Sequence, residues 1–150
     1  MNKKRFRYHL VPILLFVAMM TACGGGGGGG TPPPSNEGSI ASPVNLGTVS
    51  TAFTRTGSVG ANGTSFYTFT TGSTAGTYTV SLTNTHSDLS WGYATDSTFT
   101  APAFICDNHV TPGANDEICS SSLAAATTYY LAVDEWYNVA GTFTFSIATP

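Results

Sequence analysis

The chain has 150 residues, about one domain's worth, and four of its five basic residues lie within the first seven. From residue 23 onward Arg55 is the one cation against eight acids, a net charge of −7 with no lysine. That leaves no positive surface to neutralise phosphates, which argues against nucleic acid as a partner and against a polybasic membrane patch. Thr supplies 23 and Ser 15 of residues 23–150, a composition that favours strands and turns over helices.

The N-terminus reads as an export signal. Lys3, Lys4, Arg5 and Arg7 form a basic start, and Leu10 to Met20 an apolar stretch of 11 residues. A bilayer-spanning helix needs about 20 such residues, so residues 1–22 fit a signal peptide rather than a span. Met20-Thr21-Ala22-Cys23 then resembles the lipobox of bacterial lipoproteins, with Met20 where Leu is usual. The resemblance implies cleavage before Cys23, a diacylglycerol on its thiol and a further acyl chain (palmitate or similar) on its amine. Gly24 follows in place of Asp, which in enteric lipoproteins goes with the outer membrane. Two or more acyl chains anchor stably where one does not. The expected partner is therefore a lipid bilayer at the cell envelope, held through Cys23.

Residues 23–42 are expected to be a tether. Seven glycines, Gly24 to Gly30, cannot build a core, and Pro32, Pro33 and Pro34 favour an extended spacer. The glycines formally match GxGxxG, but no strand precedes them and no helix follows, so a dinucleotide site is dismissed.

From Pro43 the chain alternates at period two. Tyr67 and Phe69 share a face within Ser65–Thr70. Tyr78, Val80 and Leu82 do so within Thr77–Thr83, and Leu89, Trp91 and Tyr93 in the run after Asp88. Tyr129, Leu131 and Val133 alternate within Thr128–Asp134, and Phe143, Phe145 and Ile147 within Gly141–Ala148. Leu46–Thr54 and Ala103–Cys106 are weaker strand candidates. Asn62-Gly63 reads as a tight turn between Thr56–Gly60 and Ser65–Thr70. Strict alternation with turn signals between runs predicts an all-β antiparallel sandwich or jelly roll of seven or eight strands, spanning residues 43–150.

Cys106 and Cys119 remain once Cys23 is set aside. In an exported protein they are expected to pair; the rival is a zinc site of Cys106, His109 and Cys119 with Asp107. Asp107, Asn108, Asp116 and Glu117 in the segment between the two cysteines, or Asp134, Glu135 and Asn138 in the next, are candidate oxygen ligands for a structural calcium ion, the one cofactor considered. The plain alternative is a pair of solvated acidic loops. Trp136 and Tyr137 either cap the end of the core or stack on a glycan or grip an extracellular protein. No catalytic residue is assigned. His86, Ser87 and Asp88 lack the context of a nucleophile and its base, and neither G-x-S-x-G nor HExxH occurs.

The order of these runs resembles a known family. Phe66-Tyr67-Thr68-Phe69, Gly76 to Leu82, Asp88-Leu89-Ser90-Trp91, Thr128 to Val133 and Gly141 to Ile147 follow the pattern of the bacterial pre-peptidase C-terminal domain. The resemblance covers about residues 44–149 and implies a β-sandwich of secreted or surface proteins, often attached to a peptidase. Some collagenase-associated members bind calcium and collagen. Ser90 stands where the family's pattern has the second Asp of a D-x-D, which weakens the expectation of calcium at that strand. The function implied is a non-enzymatic, lipid-anchored domain with a binding or spacing role; a hydrolase has the least support.

Overall fold

The computed structural model describes residues 32–83, 85, 88–107 and 116–150. Nine strands form, with no helix among the described residues: β1 (Val44–Val49), β2 (Phe53–Val59), β3 (Thr64–Thr71), β4 (Gly76–Thr83), β5 (Leu89–Ala94), β6 (Phe104–Cys106), β7 (Glu117–Leu123), β8 (Thr128–Glu135) and β9 (Gly141–Ala148). They make a five-stranded sheet in the order β1-β3-β8-β5-β6 and a four-stranded sheet in the order β2-β9-β4-β7.

The period-two runs bury the residues that their alternation selects. Tyr67, Phe69, Tyr78, Val80, Leu82, Trp91, Leu131, Val133, Phe143, Phe145 and Ile147 are all at most 4% exposed and form one core between the sheets. Aromatic rings do much of the filling. Tyr67 stacks on Phe145 with ring centroids 6.0 Å apart, and Trp91 leans on Phe104 at 5.5 Å. Alternate positions on the four-stranded sheet carry hydroxyls to the surface, some paired across strands, as in Thr54 with Ser146 and Thr79 with Ser120.

The structure departs from the expected layout in several places. The weak run Leu46–Thr54 splits into β1 and β2, which enter different sheets. β1 runs parallel to β3, so the sandwich is not wholly antiparallel. The turn at Asn62-Gly63 forms, with the Gly63 amide donating to the Gly60 carbonyl at 2.9 Å and Asn62 at φ 50°. It carries the chain from one sheet to the other instead of closing a hairpin. β7 shows no apolar alternation because its inward residues are Glu117, Cys119, Ser121 and Leu123, only one of them a large aliphatic. Ser121 is accommodated there by a hydrogen bond with the Tyr93 hydroxyl at 2.6 Å.

Every residue of β5 is buried, on both faces. Its outward residues are Ser90, Gly92 and Ala94, and register sets Gly92 beside Ala132 and Ala132 beside Phe66. The loop after β5 returns over this face, and the fully buried Phe99 meets Phe66 edge-on at 6.3 Å. Asp96 shapes the loop by accepting from the amides of Thr98 and Thr100 at 3.1 and 3.3 Å. Hydrogen bonding, led by the Thr98 hydroxyl, holds the Asp96 carboxyl below the usual carboxylate range.

Residues from Ser35 on, expected to be tether, pack on the sandwich. The Ser35 carbonyl accepts from the Ser58 hydroxyl at 2.8 Å, and the Asn36 side chain accepts from the Gly60 amide at 2.8 Å. Glu37 donates its amide to Ser65 Oγ at 2.9 Å and accepts from the Phe66 amide at 2.9 Å. Its carboxylate pairs with Arg55, whose guanidinium lies 5.6 Å from the Tyr67 ring centroid. Burial, reinforced by the adjacent Glu37 charge, pushes the Tyr67 phenol well above its ordinary range.

Candidate functional site

Trp136 and Tyr137 lie where β8 leaves the five-stranded sheet, in the connection to β9. They are 39% and 44% exposed, and Val139 beyond them is 47% exposed. Neither ring belongs to the buried core cluster. Three exposed apolar side chains within four residues would be a liability on a mobile loop. Here the loop is fastened.

The fastening comes from the pair Asp134-Glu135. As strand geometry requires, the two point to opposite faces. Asp134 turns outward and accepts from the Thr64 hydroxyl at 2.6 Å. Glu135 turns inward and is 4% exposed, which corrects the reading of both acids as solvated. One oxygen of Glu135 accepts from the Asn62 amide at 2.8 Å and the other from the Tyr137 amide at 2.6 Å, while its own amide donates to the Gly63 carbonyl at 3.1 Å. A single buried carboxylate thus ties the Gly60–Gly63 turn to the aromatic loop. Hydrogen bonds to a charged acceptor are each worth about 1.5–3 kcal/mol, more than neutral ones.

The second tie is at the indole. Trp136 Nε1 donates to Ser90 Oγ at 2.9 Å, and the Trp136 amide to the Asp88 carbonyl at 3.4 Å. Ser90, at 1% exposure, occupies the position where the resembled family carries its second Asp. A hydroxyl there serves as an acceptor for an indole N–H. Asn138, at φ 61°, then turns the chain toward β9. The result is a loop whose Trp136 and Tyr137 amides and indole N–H are held inward while both aromatic side chains stay partly exposed. Such an arrangement lowers the ordering cost of binding.

The remaining candidates separate. Cys106 and Cys119 are joined, with Cα atoms 6.0 Å apart, so neither is available as a zinc thiolate. Glu117 is fully buried at the start of β7, close to that disulfide, and its carbonyl accepts from Trp91 Nε1 at 3.4 Å. Asp116 is exposed and Asp107 half-buried. Asp134 belongs to the other sheet, engaged with Thr64. Among the described residues no three His, Cys, Asp or Glu side chains gather in a way that could hold a metal ion. Asn108, His86, Ser87, His109 and Cys23 lie outside the described residues. Two shallow depressions lie elsewhere. One, on the outer face of the five-stranded sheet, is lined by Ile40, Pro43, Thr68 and Tyr130 among others. The other lies beside Ser50, Tyr78 and Pro150, and neither is lined by an acid, a histidine or a cysteine.

Sequence reasoning singled out Trp136 and Tyr137 but missed Glu135 as their brace and Ser90 as the indole's acceptor. The signal for Glu135 was its place at the end of an alternating strand, in phase with Leu131 and Val133. In that phase it had to face inward.

No family model matches the chain, and no curated protein matches it. Solved structures do. The pre-peptidase C-terminal domain of a collagenase from Bacillus anthracis is 21% identical, with a TM-score of 0.50 over 79% of this chain and 99% of that one. A periplasmic inhibitor of g-type lysozyme from Aeromonas hydrophila, PliG, is 13% identical, with a TM-score of 0.50 over 70% of this chain and 95% of that one. At these identities the likeness is one of fold, and the fold of this chain is similar to that of a pre-peptidase C-terminal domain.

Proposed function

We propose that this chain is a non-enzymatic binding domain, lipid-anchored through Cys23 at the bacterial outer membrane, that offers Trp136 and Tyr137 to a glycan or an extracellular protein. The observation that carries the reading is the braced loop: two aromatic side chains 39% and 44% exposed, with the Trp136 amide on the Asp88 carbonyl, the Trp136 indole on Ser90 and the Tyr137 amide on Glu135. Aromatic faces of this kind stack on sugar rings and anchor protein interfaces. The similarity in fold to a lysozyme inhibitor is in keeping with a role that needs no turnover. The acidic segment around Asp107 and Asp116 gives calcium a place in the test.

A screen against glycans and matrix proteins, with and without calcium, tests the binding role. Trp136→Ala should weaken capture of any ligand found by about 2 kcal/mol, some thirtyfold, without lowering the melting temperature by more than a few degrees. Capture unchanged by Trp136→Ala and by Tyr137→Ala would place the ligand elsewhere. Anchoring is tested separately. Mass spectrometry of the membrane fraction should find an N-terminal peptide beginning at acylated Cys23, and Cys23→Ser should release the protein from that fraction. A soluble protein with a free Cys23 thiol would remove the anchor from this proposal.

A further inference from the structure

We propose that the groove on the outer face of the five-stranded sheet, centred on Tyr130, is a second binding site, and that it takes a neutral saccharide chain. Register sets its floor. Asn45, Thr68 and Tyr130 stand side by side across β1, β3 and β8, and Thr70 faces Thr128 in the next row. Asn45, Thr68 and Tyr130 each lie between two residues that pack into the core, so their side chains face outward. Ile40 and Pro43 line the groove from the segment before β1, and Ser97 lines it from the loop after β5. The space is about 530 Å³, within the range of about 300–1,000 Å³ usual for small-molecule sites.

The groove is formed before any ligand arrives. β3 and β8 are inner strands of their sheet, each paired on both sides. The Ser39 amide donates to the Ser42 carbonyl and the Ser42 amide to the Ser39 carbonyl, both at 3.0 Å, which closes the turn that carries Ile40. Ser97 sits on the loop that Asp96 shapes through the Thr98 amide and that Phe99 roots against Phe66. Walls held in this way cost little to order on binding.

The polar groups of the floor keep capacity to spare. Asn45 Oδ1 accepts from the Gly47 amide at 2.8 Å, which leaves Nδ2 to donate. The Thr68 hydroxyl donates to the Tyr129 carbonyl at 3.2 Å and keeps its lone pairs for a donor. The Thr70 and Thr128 hydroxyls bond each other at 3.0 Å, so one of the two still has its hydrogen to give. Among the described residues the Tyr130 hydroxyl makes no hydrogen bond. Apolar surface lies beside these groups: the half-buried Tyr130 ring, Pro43, and Ile40 at 42% exposure.

That mixture selects the ligand. A sugar ring has C–H faces that stack on an aromatic ring and hydroxyls that both donate and accept. An apolar ligand would bury the Asn45 amide and the floor hydroxyls unpaired, which is costly. An anionic chain would meet a neutral lining in a chain of net −7 beyond residue 22, whose one cation, Arg55, is engaged with Glu37. A peptide added as a strand needs an open sheet edge, and β3 and β8 have none to give. The inference stands apart from the reading of the aromatic loop, because neither Trp136 nor Tyr137 lines this groove.

Calorimetric titration of the full-length protein, in a detergent without a sugar headgroup, tests the proposal. The probes are cello-, malto-, manno- and chito-hexaose, with hexagalacturonate as the anionic counterpart. At least one neutral probe should bind with a dissociation constant of about 1 mM or below. Amide resonances of Asn45, Thr68 and Tyr130 should shift on its addition. Tyr130→Ala should raise the dissociation constant about tenfold or more, and Tyr130→Phe, which keeps the ring, only a few-fold. Asn45→Asp keeps the oxygen that Gly47 needs and removes the donating amine. It should weaken binding about tenfold with the thermal midpoint unchanged, so the result does not depend on Tyr130→Ala folding. No binding by any neutral probe at about 10 mM would overturn the proposal. So would binding indifferent to Tyr130→Ala and Asn45→Asp, equal affinity for hexagalacturonate, or resonance shifts confined to Trp136–Val139. The last result would leave the reading of the aromatic loop standing.

Discussion

Phe145→Ala is expected to cost about 3–5 kcal/mol, comparable with the whole stability of a domain at the low end of the ordinary range of about 5–15 kcal/mol. Phe145 is 1% exposed on β9, the strand that joins β2 to β4. Its ring stacks on Tyr67 of the opposite sheet at 6.0 Å and meets Phe53 edge-on at 6.5 Å. Alanine would remove the transfer free energy of the ring and also the face on which Tyr67 rests. Tyr67 is bonded in turn to Glu37 at 3.3 Å, so the defect should reach the docked N-terminal segment as well. Urea unfolding followed by tryptophan fluorescence should show the midpoint falling with the slope unchanged. A loss below about 1 kcal/mol would mean that the two sheets do not depend on this contact.

Reducing the Cys106–Cys119 bond is expected to cost about 3 kcal/mol, the chain-entropy value for a loop of this length. The bond spans 13 residues in sequence and joins β6, at the edge of one sheet, to β7, at the edge of the other. β6 has three residues and pairs only with β5, and apart from the disulfide it is held by that pairing and by Phe104 against Trp91 and Tyr93. Hydrogen exchange in the reduced protein should therefore rise first at Phe104–Cys106 and at Glu117–Cys119, before the β3–β8–β5 centre. Paired denaturation curves with and without reductant measure the size of the effect. Identical curves would show that the edges are held by packing alone.

Much of the architecture is legible in the sequence because burial here is one-sided. Where a strand has one wet face, the period of two writes its orientation directly, as in Tyr78-Thr79-Val80-Ser81-Leu82. The pattern fails where a different force sets the inward side chain. β7 turns in a carboxylate, a half-cystine and a serine, and β5 buries both faces although its outward residues Ser90, Gly92 and Ala94 are not large apolar ones. The parallel pairing of β1 with β3 has no local signature, since parallel and antiparallel partners ask for the same alternation.

The site divides in the same way. Trp136 and Tyr137 stand out as adjacent aromatics between a strand end and a glycine. Their supports do not. Ser90 is 46 positions from Trp136, and Asn62 is 73 from Glu135. Hydrogen bonds at such separations exist only once the sheets have assembled, and a serine or a glutamate carries no mark of its eventual partner.

The docked segment from Ser35 to Glu37 has a mechanical consequence. Its bonds go to Ser58 and Gly60, which belong to β2 and its exit, and to Ser65 and Phe66 on β3. β2 lies in one sheet and β3 in the other. A pull arriving along the chain from before Ser35 is therefore shared between the two sheets at their common seam. It does not peel β1 from its edge, because β1 begins only at Val44, behind the point where the load is taken. Under tension the first contacts to bear strain are these few hydrogen bonds and the Glu37–Arg55 pair, and the load reaches the rings between the sheets only through Tyr67, bonded to Glu37.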